Sequence, residues 1–258
     1  MQDWNPALYT RFEDERTRPA ADLLARVPLQ AAQCIYDLGC GPGNSTELLA
    51  ARFPSAQIVG TDTSQAMLAV AAQRLPNLRF ELSDIATWRP ERGPGLVFAN
   101  ASLQWIPNHD ALLPRLFGTL APGGVLAVQM PDTMDEPTHR LMRETAADSR
   151  WASLIGDAAS IRAGIFSCER YHDLLACDAD LIDLWRTTYH HPMGSPADIV
   201  QWLRGTGLKP FVDALPEMLR GEFLAAYEQR IASAYPARAN GQRLLAFPRL
   251  FIVARRRR

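Results

Sequence analysis

Ile35-Tyr36-Asp37-Leu38-Gly39-Cys40-Gly41-Pro42-Gly43-Asn44-Ser45 decides how the chain reads. An apolar run closes on an acid, glycine then takes alternate positions, and helix-forming sequence follows. Without a Cβ at Gly39, Gly41 and Gly43 the backbone is free to turn sharply, adopt positive φ and press against a ligand. A strand–turn–helix of this kind is a nucleotide-type site at the carboxyl edge of a parallel sheet. A dinucleotide fingerprint counted from Gly39 needs glycine at 44, where Asn44 stands. Asp37 would repel a pyrophosphate but suits an ammonium or sulfonium group. The stretch therefore points to S-adenosylmethionine rather than NAD or FAD; the plain alternative is a Gly/Pro turn with no ligand.

Strands and helices alternate outward from this loop. Residues 34–38 read as a buried strand and 45–53 as a helix. Residues 57–61 read as a second strand, followed by a helix capped by Thr63 or Ser64 and running to Arg74. Further strands are expected at 78–82, 96–100 and 125–130, with a helix at 111–120. This alternation implies a parallel sheet wound by right-handed crossovers. In the second half, helices are expected at 136–149, 169–177, 198–204 and 217–234, and strands at 180–191 and 249–255. Leu219, Phe223, Tyr227 and Ile231 recur every fourth residue, a core-facing stripe. Pro248 would mark the start of the last strand or a bulge. The expected fold is α/β: a Rossmann-like seven-strand sheet, mostly parallel, with helices on both faces. The chain reads as a single domain of 258 residues, with a cofactor core at 30–130 and acceptor-side segments at 1–28, 132–168 and 192–243.

Composition excludes several classes. A formal net charge of −1 argues against a nucleic-acid-coating surface. The 27 basic residues include one lysine, Lys209, and the Arg255–Arg258 run reads as a solvated tail. The four cysteines, 34, 40, 168 and 177, show neither C-x-x-C pairing nor metal spacing, so no metal is expected and a reducing compartment is. No signal peptide or membrane-length apolar run is visible, so a cytoplasmic protein, monomeric or weakly homo-oligomeric, is expected.

Polar residues close three successive strands. Asp62 lies 19 residues beyond Gly43, where a carboxylate accepts hydrogen bonds from ribose hydroxyls. Asp84, in Ser83-Asp84-Ile85, would accept from the adenine amino group while Ile85 packs on the ring. Asn100 would lie beside the methionine moiety. This pattern resembles the class I S-adenosylmethionine-dependent methyltransferases in Asp37–Gly43, Gly60-Thr61-Asp62, Ser83-Asp84-Ile85 and Leu120-Ala121-Pro122-Gly123-Gly124. The resemblance implies an antiparallel final strand and cofactor contacts from Asp37, Gly39, Cys40, Gly41, Gly43, Asn44, Asp62, Thr63, Met67, Asp84, Ile85 and Asn100, with Trp105 and Tyr9 near the sulfonium. Met67 reads equally well as a core residue.

A closer likeness runs from end to end. Asp3–Tyr9, Phe98–Trp105, Val128–Asp132, Trp185–Tyr189 and Leu245–Arg256 resemble the family of carboxyl methyltransferases that esterify trans-aconitate, a small-molecule tricarboxylate. It implies transfer of a methyl group to one carboxylate. Such an acceptor is ionised at neutral pH, with a reference pKa near ~4, so no catalytic base is expected. Positioning and exclusion of water carry the rate. Acceptor contacts are expected from Gln104, Gln129, His139, Arg143, Tyr189 and Arg249, the last near the beginning of its strand, with Arg11, Arg16 and Arg18 as further candidates. The plain readings beside these are packing for Trp105, surface ion pairs for single arginines, and exposed ordinary histidines at 139, 190 and 191. Rival functions are a carboxyl methyltransferase for another small or acyl acid and a binding regulator without turnover.

Overall fold

The computed structural model describes residues 13–159, 161 and 164–258. Seven strands form one sheet: β1 (Cys34–Leu38), β2 (Gln57–Asp62), β3 (Arg79–Leu82), β4 (Leu96–Asn100), β5 (Val125–Pro131), β6 (Ala179–Met193) and β7 (Arg243–Arg256). Their order is β3-β2-β1-β4-β5-β7-β6. The first five pair in parallel, with Asp37 opposite Gly60, Asp62 opposite Leu82 and Asn100 opposite Gln129. Every residue of β1 is buried, as a parallel strand covered on both faces requires.

The final strand runs the other way. Just ahead of β5, Arg256 N–H donates to Gly124 O at 2.8 Å and Arg256 O accepts from Gly123 N–H at 3.0 Å, whereas Asp132, just past the end of β5, donates to Pro248 O at 2.9 Å. On the opposite side Arg257 N–H meets Asp178 O, and Trp185 stacks on Phe251 at 4.7 Å. The antiparallel expectation holds, but the strand begins at Arg243 rather than at 249. Pro248 lies inside it, opposite Asp132, where β5 has already ended and the ladder gives up a single bond.

The crossover helices are α2 (Asn44–Arg52), α3 (Gln65–Arg74) and α4 (His109–Gly118); Ser64, not Thr63, caps α3 by accepting from Met67 N–H at 3.2 Å. Ahead of them stands a helix that the sequence reading did not foresee, α1 (Glu13–Ala25). It packs on α2 and β5 and buries Ala20, Leu23 and Leu24. Its charged start and internal Pro19 mask the apolar period.

The chain divides into two compact units. The larger holds the described residues of Asp3–Pro131, Ile165–Arg186 and Leu250–Arg258; the smaller holds those of Asp132–Gly164 and Thr187–Arg249. Within the smaller, α5 (Pro137–Ala146), α6 (Ala152–Ile155), α8 (Pro196–Arg204), α9 (Lys209–Asp213) and α10 (Glu217–Ala234) surround their own core, while α7 (Cys168–Leu175) belongs to the larger. α10 packs against α5 and α8, with Trp151 edge-on to Phe223 at 5.3 Å and Tyr227 Oη donating to Thr138 O at 3.0 Å. The expected 136–149 helix ends at Ala146, and the α9 turn was not foreseen.

Phe251 is fully buried and stacked. Phe251→Ala is therefore expected to lower unfolding stability by about 3–5 kcal/mol. Urea titration at an unchanged m-value checks this, and a loss below about 1 kcal/mol would contradict the packing described.

Candidate functional site

β1 enters the glycine loop with its last carbonyl already engaged. Ser102 Oγ donates to Leu38 O at 2.7 Å from the turn after β4. Gly39 and Cys40 both donate their N–H to Thr61 O, at 2.7 and 2.9 Å. Gly41 N–H donates to Asp62 Oδ2 and Ser64 N–H to Asp62 Oδ1, both at 2.9 Å. The loop is thus fastened along the end of β2, with Gly39 at φ 72°, Gly41 at 54° and Gly43 at 94°. A Cβ at Gly39 would fall 2.4 Å from Ser102 Cβ, so a side chain there must displace the turn. At Gly41 a Cβ would meet no atom of the described residues within 4 Å. A small pocket lies against the loop, lined by Thr17, Gly39, Cys40, Asn44, Ser45 and Asn100 among others.

Asp37 is fully buried beneath this loop. Ser45 and Thr46, in the first turn of α2, each donate to its Oδ2 at 2.7 Å. Its Oδ1 has no partner among the described residues. Burial pushes the carboxyl up to about 6, the hydroxyls of Thr46 and Ser45 pull it down, and Asp62 raises it again. An acid held this way lacks a cation or donor. Asn100 Oδ1 is likewise buried without a partner among the described residues, at the cavity wall. The residues present therefore fit a nucleoside with a cationic tail.

The remaining cofactor candidates sit around these two. Asn44 begins α2 and donates to Thr17 Oγ1 at 3.4 Å. Asp84 and Thr63 are exposed at strand ends, whereas Ile85 and Met67 are buried. Asp84 accepts from Ala86 N–H through Oδ1 at 2.8 Å. Burial raises the Cys40 thiol well above its ordinary range, with Asp37 and Asp62 adding to the shift. Trp105 is half-buried in a 3-10 turn, Leu103–Trp105. Tyr9, Arg11 and the Arg16 side chain lie outside the described residues, and Arg18 is exposed.

Of the acceptor candidates, Gln104 and Gln129 belong to the larger unit and both are buried. Gln104 Nε2 donates to Ala101 O at 2.6 Å, and its Oε1 has no partner among the described residues. In the smaller unit, Arg249 is 4% exposed, with Tyr189 and Phe247 rings 6.0 and 5.0 Å from its guanidinium. Because β7 starts at Arg243, Arg249 stands in the middle of the strand and not at its beginning. Arg143 reaches back to Met134 O at 2.8 Å and makes no ion pair among the described residues. His139 lies between Thr133 Oγ1 at 3.2 Å and Thr138 Oγ1 at 3.1 Å. The plain reading of the histidines as exposed holds for His190 only; His139 and His191 are buried, the latter against Trp202 at 4.7 Å.

Several participants escaped the sequence reading. Ala101, at φ 54°, turns the chain after Asn100 and aims Ser102 back at the loop. A non-glycine residue in this region is strained and gathers at functional sites. His109 Nε2 lies 2.9 Å from Leu103 O, which only accepts, so Nε2 carries the proton. Its Nδ1 then accepts from Tyr171 Oη at 2.6 Å, and that oxygen accepts from Phe166 N–H at 3.2 Å. This chain steadies the turn that carries Gln104 and Trp105. The only sequence signal for it was a histidine at the head of an apolar helix.

Known proteins align with this geometry. A family model described as a methyltransferase domain matches residues 35–124. A trans-aconitate 2-methyltransferase of Variovorax paradoxus is 62% identical over 100% of both chains. Another of the same name, from Paracidovorax citrulli, is 64% identical over 99% of both. Among solved structures, the YcgJ protein of Bacillus subtilis superposes with a TM-score of 0.60 at 12% identity, covering 93% of this chain and 99% of that one.

The buried acid yields a pH prediction. Asp37 holds its proton to about pH 6 when folded, against the ordinary aspartate value of 3.8 in the unfolded chain. The folded state binds more protons in that window, so this group costs stability as pH rises through it, and the cost is complete above about 6. Asp37→Asn is expected to be more stable than the parent by roughly 1–3 kcal/mol at pH 7.5, with a smaller advantage at pH 5. Urea unfolding at the two pH values measures it; an advantage that is absent, or larger at pH 5, would contradict the buried, under-partnered carboxylate.

Proposed function

The chain belongs to the trans-aconitate 2-methyltransferase family, and on that premise we propose that it moves the methyl group of S-adenosylmethionine onto one carboxylate of trans-aconitate, yielding the monomethyl ester and S-adenosylhomocysteine. The observation that carries this reading is identity of 57–64% with relatives of that name over 99–100% of both chains. The loop geometry supports it independently. When bound, S-adenosylmethionine supplies an activated methyl group on a sulfonium.

This chain's residues hold and orient. Asp37 and the loop Gly39–Gly43 would receive the cationic tail, with Asn44 at the head of α2. Asp62 would accept from the ribose hydroxyls, Asp84 and Ile85 would take the adenine beside Thr63 and Met67, and Asn100, Trp105 and Tyr9 would lie near the sulfonium. For the acceptor, Gln104 and Gln129 offer amide hydrogen bonds. Arg143 and Arg249 offer guanidinium forks for the two carboxylates that do not react, with Tyr189 and His139 beside them. The attacking carboxylate is already ionised, so no side chain has to accept its proton. Opposite charges merge as the transfer proceeds, which a site shielded from water favours.

The chain makes its reaction with small solutes. No helix of the described residues is long and apolar enough to cross a membrane. The four cysteines are unpaired, which supports a cytoplasmic location.

Incubation with methyl-labelled S-adenosylmethionine and a panel of trans-aconitate, cis-aconitate, citrate, isocitrate and a fatty acid tests the assignment. Base-labile label is expected on trans-aconitate, with kcat/KM at least tenfold above every other acid. Stronger labelling of another acid would overturn the acceptor, and binding without any labelled product would favour a regulator.

A further inference from the structure

Arg115 takes part in none of the interactions assigned so far. It projects from α4, whose Leu112, Leu113, Leu116 and Phe117 are buried and fix the helix against the sheet. Its Nη2 donates to Ile85 O at 2.6 Å and its Nη1 to Trp88 O at 2.7 Å. No carboxylate forms an ion pair with it among the described residues; the planar fork is spent on two main-chain carbonyls of one short loop. That loop follows β3 and begins with Ser83 N–H donating to Asp62 O at 2.9 Å. Inside it, Trp88 N–H donates to Asp84 O at 2.8 Å, and Trp88 meets Tyr36 edge-on at 5.0 Å. Ile85 Cδ1 lies 3.5 Å from where a Cβ of Gly39 would stand, so its side chain abuts the glycine loop.

We propose that Arg115 is a positioning residue that sets the cofactor's base specificity, by fixing the Ile85 and Trp88 carbonyls and through them the placement of Asp84 and Ile85 against adenine. This rests on the methyltransferase reading above. The guanidinium touches no reacting atom; it acts through the loop. Lysine presents one compact donor head and not a fork, so it would hold one carbonyl at a time. Arg89 Nη1 also donates to Trp88 O, at 3.0 Å, so loss of Arg115 falls chiefly on Ile85.

The test compares S-adenosylhomocysteine with S-inosylhomocysteine, in which the amino group of the base is replaced by a carbonyl. Calorimetric affinities are measured for both on the full chain, the parent beside Arg115→Met and Arg115→Lys. The parent is expected to prefer the adenosyl ligand. In Arg115→Met that preference should fall about tenfold, while kcat and acceptor KM at saturating cofactor stay within twofold; Arg115→Lys should recover part of the loss. A general structural role would lower both affinities alike and leave the preference intact, and that result would overturn the proposal, as would a parallel fall in kcat and acceptor KM. If Arg115→Met does not fold, Arg115→Lys decides alone: a threefold loss of preference supports the assignment and none contradicts it. A parent that binds neither ligand would overturn the methyltransferase reading itself.

Discussion

Two consecutive peptide N–H groups, of Gly39 and Cys40, converge on the carbonyl of Thr61, and the next residue's N–H goes to Asp62. On this fastening the site depends. It bends the chain between β1 and α2 along the end of β2, and it sets the carboxylate of Asp62 against the N–H of Gly41. A peptide conformation with positive φ at alternate positions is unfavourable for residues with side chains, so glycine is required wherever the loop turns. Ser102 completes the arrangement from the far side by holding Leu38 O. The ends of β1, β2 and β4 are thereby tied together at one edge, which is where open α/β sheets place their ligands.

The same fastening explains the poor electrostatic situation of Asp37. Its carboxylate is buried under the loop near Asp62, and among the described residues two hydroxyls donate to one of its oxygens and nothing to the other. Left alone, such an acid reduces stability at neutral pH. A positive ligand bound there would remove that cost, and the stability given up would reappear as affinity. Proteins commonly keep such local conflicts at functional sites.

The parallel half of the sheet was legible because β1, β4 and β5 are apolar runs and β2 and β3 alternate with helices at the βαβ spacing, and the acids proposed to meet the cofactor were legible because each stands at or just past a strand end. What the sequence hid follows other rules. The first half of β7 alternates buried Leu245, Phe247 and Arg249, and the arginine at a core position conceals the period. Pro248 discourages a strand there until Asp132 is seen opposite it. α1 reads as a charged segment with a proline. Ser102 and Arg115 act on main-chain carbonyls, and no spacing rule announces a side chain whose partner is backbone. The acceptor arginines were hard to select because arginine is this chain's nearly universal cation. Burial distinguishes Arg249, and the lack of an ion pair among the described residues distinguishes Arg143; both are properties of the folded chain.

The most direct measurement of the central claim is a crystal structure of the chain with S-adenosylhomocysteine. The account predicts the ribose hydroxyls on the carboxylate of Asp62, the base beside Ile85 and the amino-acid tail over Gly39–Gly43 toward Asp37. A nucleoside bound away from the carboxyl ends of β1 and β2, with the glycine loop unaltered and uncontacted, would contradict it.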